Sequence, residues 1–283
     1  MVAFSLFWLP VYWYWIFYFL AFTFWYFFFL FVGRKYTFLE RVASNLYWLL
    51  RKSPEDILLY VILWLLIGGR LGHIFIYDFS YYLQYPLKVF SFWEWGMSFI
   101  GGIIWVVLAL LLLARKYHFS FRDFFLLWDL LIVPTSFGIF LWRIGNFLNQ
   151  ELYGRLVSDV FPSISSSLIH FFSSLNIFYI YERIDWLLRI NTNFLASFFE
   201  WFFLFVLWWI LLYFFLKKKS WTIGLLSSLF LSWYSLVRFL LEYLRMDSQS
   251  EYVWFFTKSQ RFFLLFFIIW CFIFFRSIKS YIK

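Results

Sequence analysis

Charge is scarce in this chain: 14% of its 283 residues are Asp, Glu, Lys or Arg, while 65% are hydrophobic. A soluble globular domain is charged at about a quarter of its positions, so a mean hydropathy of +0.80 excludes a water-facing globule. Cysteine is nearly missing. Cys271 is the only one, which excludes an intramolecular disulfide and a cysteine-rich metal site, and it reads as a small apolar filler of the last span. The three histidines fall in no zinc-binding spacing. There is also no nucleophile elbow and no phosphate-binding glycine loop, so neither a metal nor a cofactor is expected. The alternating ten-residue segments of a membrane β-barrel are lacking too. The first apolar run has no basic residue before it and no small-residue cleavage site, so it is expected to be retained as a span. Phenylalanine, by contrast, is abundant at 46 residues, and no individual role is assigned to any of them.

The apolar residues come in runs long enough for helical spans of about 20 residues. Seven are predicted, at about 8–32, 56–77, 95–114, 124–142, 195–216, 222–244 and 261–277, which makes the fold class an all-α integral membrane protein, a seven-span helical bundle. The net charge of +9 is concentrated in a few places. Arg34, Lys35, Arg41, Arg51 and Lys52 form one group, Arg115, Lys116 and Arg122 a second, Lys217, Lys218 and Lys219 a third, and Arg276, Lys279 and Lys283 a fourth. All four fall on one side if seven spans alternate. The positive-inside rule then puts the amino terminus outside and the carboxyl terminus in the cytoplasm. Short juxtamembrane basic clusters fit topology and anionic lipid better than nucleic acid, which is not expected as a partner.

One connector is large. Residues 143–194 lie on the outer side and include a serine-rich segment at Ser163, Ser165, Ser166 and Ser167. Connectors of this length are usually functional. An arm subdomain is expected there, within a single polytopic membrane domain covering 1–283.

That connector opens on an island of polarity at the edge of a span. Between Arg143 and Gly154 stand a cation, the amides of Asn146, Asn149 and Gln150, the carboxylate of Glu151, and Gly145. So many polar groups against a lipid boundary are costly unless they bind or convert something there. Other charges within spans are few. Arg70 sits near the outer end of the second span, where it either snorkels to the interface or touches substrate. Asp129 enters the fourth span from the inside and reads as a structural hydrogen-bond acceptor near Pro134. In the sixth span Tyr234, Arg238 and Glu242 recur every four residues, with Arg245 a turn further, so they share a helix face. They are read either as an internal ion pair holding the bundle or as part of a site. Guanidinium groups bind phosphate in a bidentate way. A cavity walled by arginines and open to the leaflet would hold a phospholipid headgroup.

These residues resemble the prolipoprotein diacylglyceryl transferase family. The signature is Arg143-x-Gly145-Asn146-Phe147-x-Asn149-x-Glu151-x-x-Gly154. Three other segments agree in order and spacing: Gly68-Gly69-Arg70-Leu71-Gly72, Gly96-Met97-Ser98-Phe99-x-Gly101-Gly102, and Tyr234-x-x-x-Arg238-x-x-x-Glu242-Tyr243-x-Arg245. The resemblance implies transfer of diacylglyceryl from phosphatidylglycerol to the lipobox cysteine thiol of a prolipoprotein, with glycerol phosphate released. It also implies prolipoprotein signal peptides and the lipid bilayer as partners, at the outer face of a bacterial inner membrane. Arg143 and Arg238 would hold the phosphate and stabilise the charge that develops as it leaves. Asn146 and Glu151 would orient headgroup and loop, with Gly154 beside them, and Tyr234 and Glu242 would support Arg238. Tyr14 matches a tyrosine of the family's first span.

The chain departs from the family in several places. Ile100 stands where the family has a histidine suited to take the thiol proton. The family's His-Pro-Ser-Gln-x-Tyr-Glu motif should fall near 190–196, and only the later Glu200 is read as retained. His73, at a matching depth in the second span, is the replacement candidate for the base, and an interfacial histidine without catalytic duty is the alternative. A catalytically silent phospholipid-binding protein of the same fold is the second reading of the whole chain. A channel or transporter would need charges along a continuous path, whereas here they gather at the outer end. Finally, Trp15, Trp95, Trp105, Trp142, Trp201 and Trp233 stand where the family usually has glycine, a change that should overpack close helix contacts. Either a UGA codon is read as glycine in the cell or the cavity has been remodelled. The codons at these positions distinguish the two.

Overall fold

The computed structural model describes residues 2–6, 9–90, 97–199, 209, 213, 224–246, 252–253 and 255–282. Most of the predicted fifth span lies outside the described residues, as do Glu200, Trp201, Trp95, Gly96, the Lys217 to Lys219 cluster and Lys283.

The described chain is mostly helical. Strands β1 (Val2–Leu6) and β2 (Leu9–Tyr12) pair antiparallel and lead into α1 (Trp13–Lys35). Next come α2 (Leu39–Val42), α3 (Ser44–Lys52), α4 (Pro54–Ile76), α5 (Phe79–Gln84), a 3-10 turn (Pro86–Phe90), α6 (Phe99–Lys116) and α7 (Phe121–Leu148). The arm follows with α8 (Val157–Val160), α9 (Ser166–Ser174), β3 (Phe178–Ile180), β4 (Leu188–Ile190) and α10 (Thr192–Ser197). The chain closes with α11 (Leu225–Glu242), β5 (Tyr252–Val253), β6 (Phe256–Thr257) and α12 (Lys258–Ile282). Three two-stranded ribbons therefore accompany the helices, where only helices were expected. The first helix starts at Trp13 rather than near residue 8. Pro10 has no N–H to give a helix and its ring clashes with the preceding turn, and in β2 it pairs opposite Ser5.

Helices α1, α4, α7 and α11 are long and apolar enough to cross a membrane. The 23 residues of α1 rise about 35 Å, more than the roughly 30 Å of bilayer hydrocarbon. Exposed positions on these helices, such as Phe19, Phe27, Leu59 and Leu63, are themselves apolar, as lipid contact requires. The protein is a multi-pass membrane protein.

The chain divides into two compact units, Trp25–Phe124 and Met1–Phe24 with Phe125–Lys283. Within the first, α4 crosses α6 at glycine. A Cβ on Gly72 would lie 2.5 Å from the Gly101 Cα, and one on Gly101 would lie 2.4 Å from the Gly68 carbonyl oxygen. Small residues are what permit such an approach in lipid, where dispersion rather than water expulsion drives helix association. Ser98 fastens the crossing. Its N–H donates to the Gly69 carbonyl at 2.8 Å, and its hydroxyl accepts from the Gly101 N–H at 3.1 Å to cap α6.

In the second unit α7 contains Pro134. The hydroxyls of Thr135 and Ser136 donate to the Leu131 and Val133 carbonyls in the same turns. Asp129 is fully buried and accepts hydrogen bonds, as expected, but its partners lie on another helix. They are the Gly224 N–H at 2.8 Å, the Ser227 N–H at 2.9 Å and the Ser227 hydroxyl at 2.8 Å. The carboxylate thus caps α11 from α7, placing negative charge at a helix amino terminus. Asp129→Ala leaves those donors without their acceptor and should cost about 2 kcal/mol or more. Thermal denaturation in detergent should show a melting point lower by roughly 4–8 °C, with Asp129→Asn intermediate. An unchanged midpoint for the alanine variant would remove the cap from the account of stability.

Four of the tryptophans at positions of expected glycine are described. Trp15 faces outward, and Trp105 stacks on Trp64 and meets Gly68 on α4. The indoles of Trp142 and Trp233 donate to Asn146 Oδ1 and to the Phe199 carbonyl.

Candidate functional site

The end of α7 and the loop after it form the centre of a polar network. Asn146 is buried, and its Oδ1 accepts from the Tyr14 hydroxyl at 2.5 Å and from the Trp142 indole at 2.9 Å. Tyr14 Oη also lies 2.9 Å from Glu151 Oε2, while Asn149 Nδ2 donates to Glu151 Oε1 at 3.1 Å. The Tyr14 ring can reach this network because residue 145 has no side chain: a Cβ there would sit 2.7 Å from Tyr14 Cε1. With Oδ1 occupied twice, the Asn146 amide is held in one orientation. Its Nδ2 is a buried donor with no hydrogen-bond partner among the described residues.

The polar loop is clamped from the far side of the arm. Thr192 donates its hydroxyl to the Leu152 carbonyl at 2.7 Å, and Asn193 donates Nδ2 to the Glu151 carbonyl at 2.7 Å. Both side chains are buried. The readable signal was a hydroxyl followed by an amide, Thr192-Asn193, at the edge of an apolar run. Asn191 caps α10 by accepting from the Phe194 N–H at 3.0 Å and also accepts from the buried Tyr181 hydroxyl at 3.1 Å. Burial raises the Tyr181 phenol above its ordinary range.

Gly154 is where three backbone segments meet. Its N–H donates to the Ile190 carbonyl at 3.1 Å, the Arg155 N–H to Leu244 at 2.8 Å, the Ile190 N–H to Arg155 at 3.0 Å and the Met246 N–H to Tyr153 at 3.2 Å. A Cβ on Gly154 would lie 2.3 Å from the Ile190 carbonyl oxygen and 3.0 Å from that of Leu244. Arg189 completes the junction, donating to the Gly154 carbonyl at 3.1 Å, lying over the Tyr153 ring and pairing with Asp185. The hydrogen bond from Arg189 holds the Asp185 carboxyl below the usual carboxylate range and raises the guanidinium in return. Beneath the junction, Val157, Phe178 and Ile190 form a small apolar core for the arm.

The junction ties the loop to the end of α11, which carries the second cationic group. Glu242 is buried and pairs with Arg238 at 3.8 Å and Arg245 at 3.7 Å. Arg238 lies over the Phe263 ring, against whose face Tyr234 packs edge-on. The shared helix face read from the spacing is therefore realised as one ionic cluster. Arg143 has different surroundings. It lines a cavity of about 530 Å³ together with Phe140, Phe147, Tyr179, Asn193 and Phe194, and Arg238 is not part of that lining. The cavity has a mostly apolar wall with one guanidinium and several amides.

Arg70 and His73 belong to the other unit. Arg70 is buried, donating to the Val89 and Lys88 carbonyls at 3.2 and 2.5 Å and lying over Tyr82, so it fastens the 3-10 turn to α4. His73 Nε2 is 3.0 Å from Asp78 Oδ2, and its ring stacks on Tyr77. The side chain of Ile100 lies outside the described residues.

A family model described as prolipoprotein diacylglyceryl transferase matches residues 1–276. A phosphatidylglycerol–prolipoprotein diacylglyceryl transferase of Ehrlichia ruminantium is 32% identical over 220 residues, 74% of this chain and 77% of the relative. The enzyme of the same name from Nitrosospira multiformis is 48% identical over 101 residues, 36% of this chain and 34% of the relative. One from Neisseria meningitidis is 42% identical over 130 residues, 46% of this chain and 43% of the relative. With the Arg143 to Gly154 loop built as described and the match running nearly end to end, this chain belongs to the prolipoprotein diacylglyceryl transferase family.

Proposed function

We propose that this chain transfers a diacylglyceryl group from phosphatidylglycerol to the lipobox cysteine thiol of prolipoproteins. The observation that carries the reading is Arg143 on the wall of a largely apolar cavity that also holds the amides of Asn176, Asn191 and Asn193, one turn of α7 from the buried Asn146 amide that Tyr14 and Trp142 fix. Such a site suits a ligand with an anionic, oxygen-rich head and apolar tails.

In the reaction the cysteine sulfur forms a bond to the terminal glyceryl carbon. The bond between that carbon and the phosphate oxygen breaks, and glycerol phosphate leaves with the electron pair. Arg143 and Arg238 bind the phosphate and stabilise that charge, the form of catalysis in which fixed donors act where charge develops. Asn146, Glu151 and Tyr14 orient the headgroup. Tyr234 and Glu242 position Arg238, and Gly154 keeps the loop closed. His73 takes the thiol proton, and Asp78 stabilises the imidazolium that results.

The proposed topology has seven spans, with the amino terminus outside and the arm, 143–194, over the outer leaflet of a bacterial inner membrane. It is supported by helices α7 and α11 running in the same direction, with Asp129 and Ser227 at one end and the Gly154 junction at the other. Complementation of a transferase-depleted bacterium tests the function. Rescue by the chain that is lost with Arg143→Ala is the expected result. Failure to rescue by a well-expressed, inserted protein would overturn it in favour of a silent phospholipid-binding protein.

A further inference from the structure

We propose that the tip of the β3–β4 hairpin, residues 181–187, is a membrane-interface anchor whose Ile184, Trp186 and Leu187 side chains lie between lipid headgroups and upper acyl chains.

The position of the hairpin sets its depth. Gln150 stands two residues beyond the end of α7, and its Oε1 accepts from the Arg183 N–H at 2.8 Å. Phe147, in the last turn of the same helix, meets Tyr179 edge-on at 4.9 Å between ring centroids. The hairpin is thus fastened to the end of a helix long and apolar enough to cross a membrane, and tryptophan is enriched where hydrocarbon gives way to headgroups.

The chemistry of the tip matches that level. Trp186 is 67% exposed, with Leu187 and Ile184 exposed beside it and Ile180 on the adjoining strand. The exposed Glu182 and Arg183 flank them. The hairpin that carries this apolar patch is held on the end of a helix long and apolar enough to cross a membrane, so lipid is the occupant that requires no further partner. A large apolar tip with charged shoulders is what an interfacial anchor presents.

The tip is also held in shape. The Ile184 and Asp185 N–H groups converge on the Tyr181 carbonyl at 2.9 and 3.4 Å, the Leu187 N–H donates to Asp185 Oδ1 at 3.1 Å, and Asp185 is gripped by Arg189. Trp186 itself has φ 59°. A bulky residue takes this left-handed conformation only where its surroundings impose it, and such strain gathers at functional positions. Here the strained backbone displays an indole instead of tucking it against the buried Tyr181.

The inference needs only that α7 spans the membrane and does not depend on the transfer activity. It is tested on the full chain carrying Cys271→Ser, reconstituted into vesicles of phosphatidylglycerol and phosphatidylethanolamine. A nitroxide spin label is placed at Trp186→Cys and, in a second protein, at Ile184→Cys, so that local distortion at one site does not decide the result. A label at Asp159→Cys, exposed on α8, is the aqueous reference. Collision with dissolved oxygen and with a water-soluble nickel chelate is measured by power saturation. The expected result is several-fold lower nickel access than at the reference, with oxygen access raised. Nickel access equal to the reference would place the tip in water and overturn the proposal. So would low access to both reagents with dipolar broadening, which would mean that a second copy of the chain covers the tip.

Discussion

Gly154→Ala is expected to yield a protein that inserts in the membrane but loses transfer and melts about 6–20 °C lower. The reason is steric and local. A methyl group at this position meets the Ile190 carbonyl oxygen at 2.3 Å and the Leu244 carbonyl oxygen at 3.0 Å, and both belong to backbone that cannot rotate away as a side chain would. The junction must open. Opening it forfeits the hydrogen bonds of Gly154 to Ile190 and Arg155 to Leu244, at about 1 kcal/mol each, on top of overpacking worth about 1–3 kcal/mol. The activity falls further than the stability because the displaced loop carries Glu151, which Tyr14, Asn149 and Asn193 hold in place. Thermal unfolding and glycerol phosphate release, measured on the same purified protein, check both parts. A variant with native melting point and turnover would mean that the backbone crossing at Gly154 is not present in the working enzyme.

Arg143→Ala should lower turnover about 100- to 1,000-fold, the usual consequence of removing a donor aimed at developing charge. The melting point should stay close to native, because Arg143 is only partly buried and lines a cavity instead of filling a core. Arg143→Lys is the more informative variant. It keeps the charge and loses the fork that grips two phosphate oxygens at once, so it should fall between the native protein and the alanine variant. Release of glycerol phosphate from phosphatidylglycerol, with a lipobox peptide as acceptor, measures all three. Turnover within a few-fold of native for both substitutions would remove Arg143 from the phosphate site.

The parts legible in the sequence were those whose physics is local along the chain. A run of apolar residues announces a span whatever it packs against, and the cluster of Arg238, Glu242 and Arg245 followed from helical spacing. The polarity of Arg143 to Gly154 also stood out against its apolar flanks. Pairings across long separations were not legible from the residues alone. Tyr14 meets Asn146 across 132 positions, and it entered the reading by resemblance, not by any local signal. Asp129 shows the same limit. Its role as an acceptor was readable from burial in a span, but its partners, 95 and 98 residues away, were not. Boundaries failed where composition gave no contrast. Residues 9–12 are as apolar as the helix that follows, so only Pro10 hinted that they would be strand. The clamp by Thr192 and Asn193 was missed for a different reason. Its acceptors are the backbone carbonyls of Leu152 and Glu151, and no residue type marks a carbonyl as the partner of a distant donor.

The way α7 and α11 are joined has a consequence for traffic. A lipid has its head and its tails on opposite sides of any narrow passage, so it cannot thread a pore and must slide in sideways through a seam between helices. The α7–α11 pair is clasped by the Asp129 carboxylate at one end and by backbone bonds among residues 153–155 and 244–246 at the other. Parting it would break both clasps. A lipid sliding in sideways between α7 and α11 would therefore have to undo one clasp or the other.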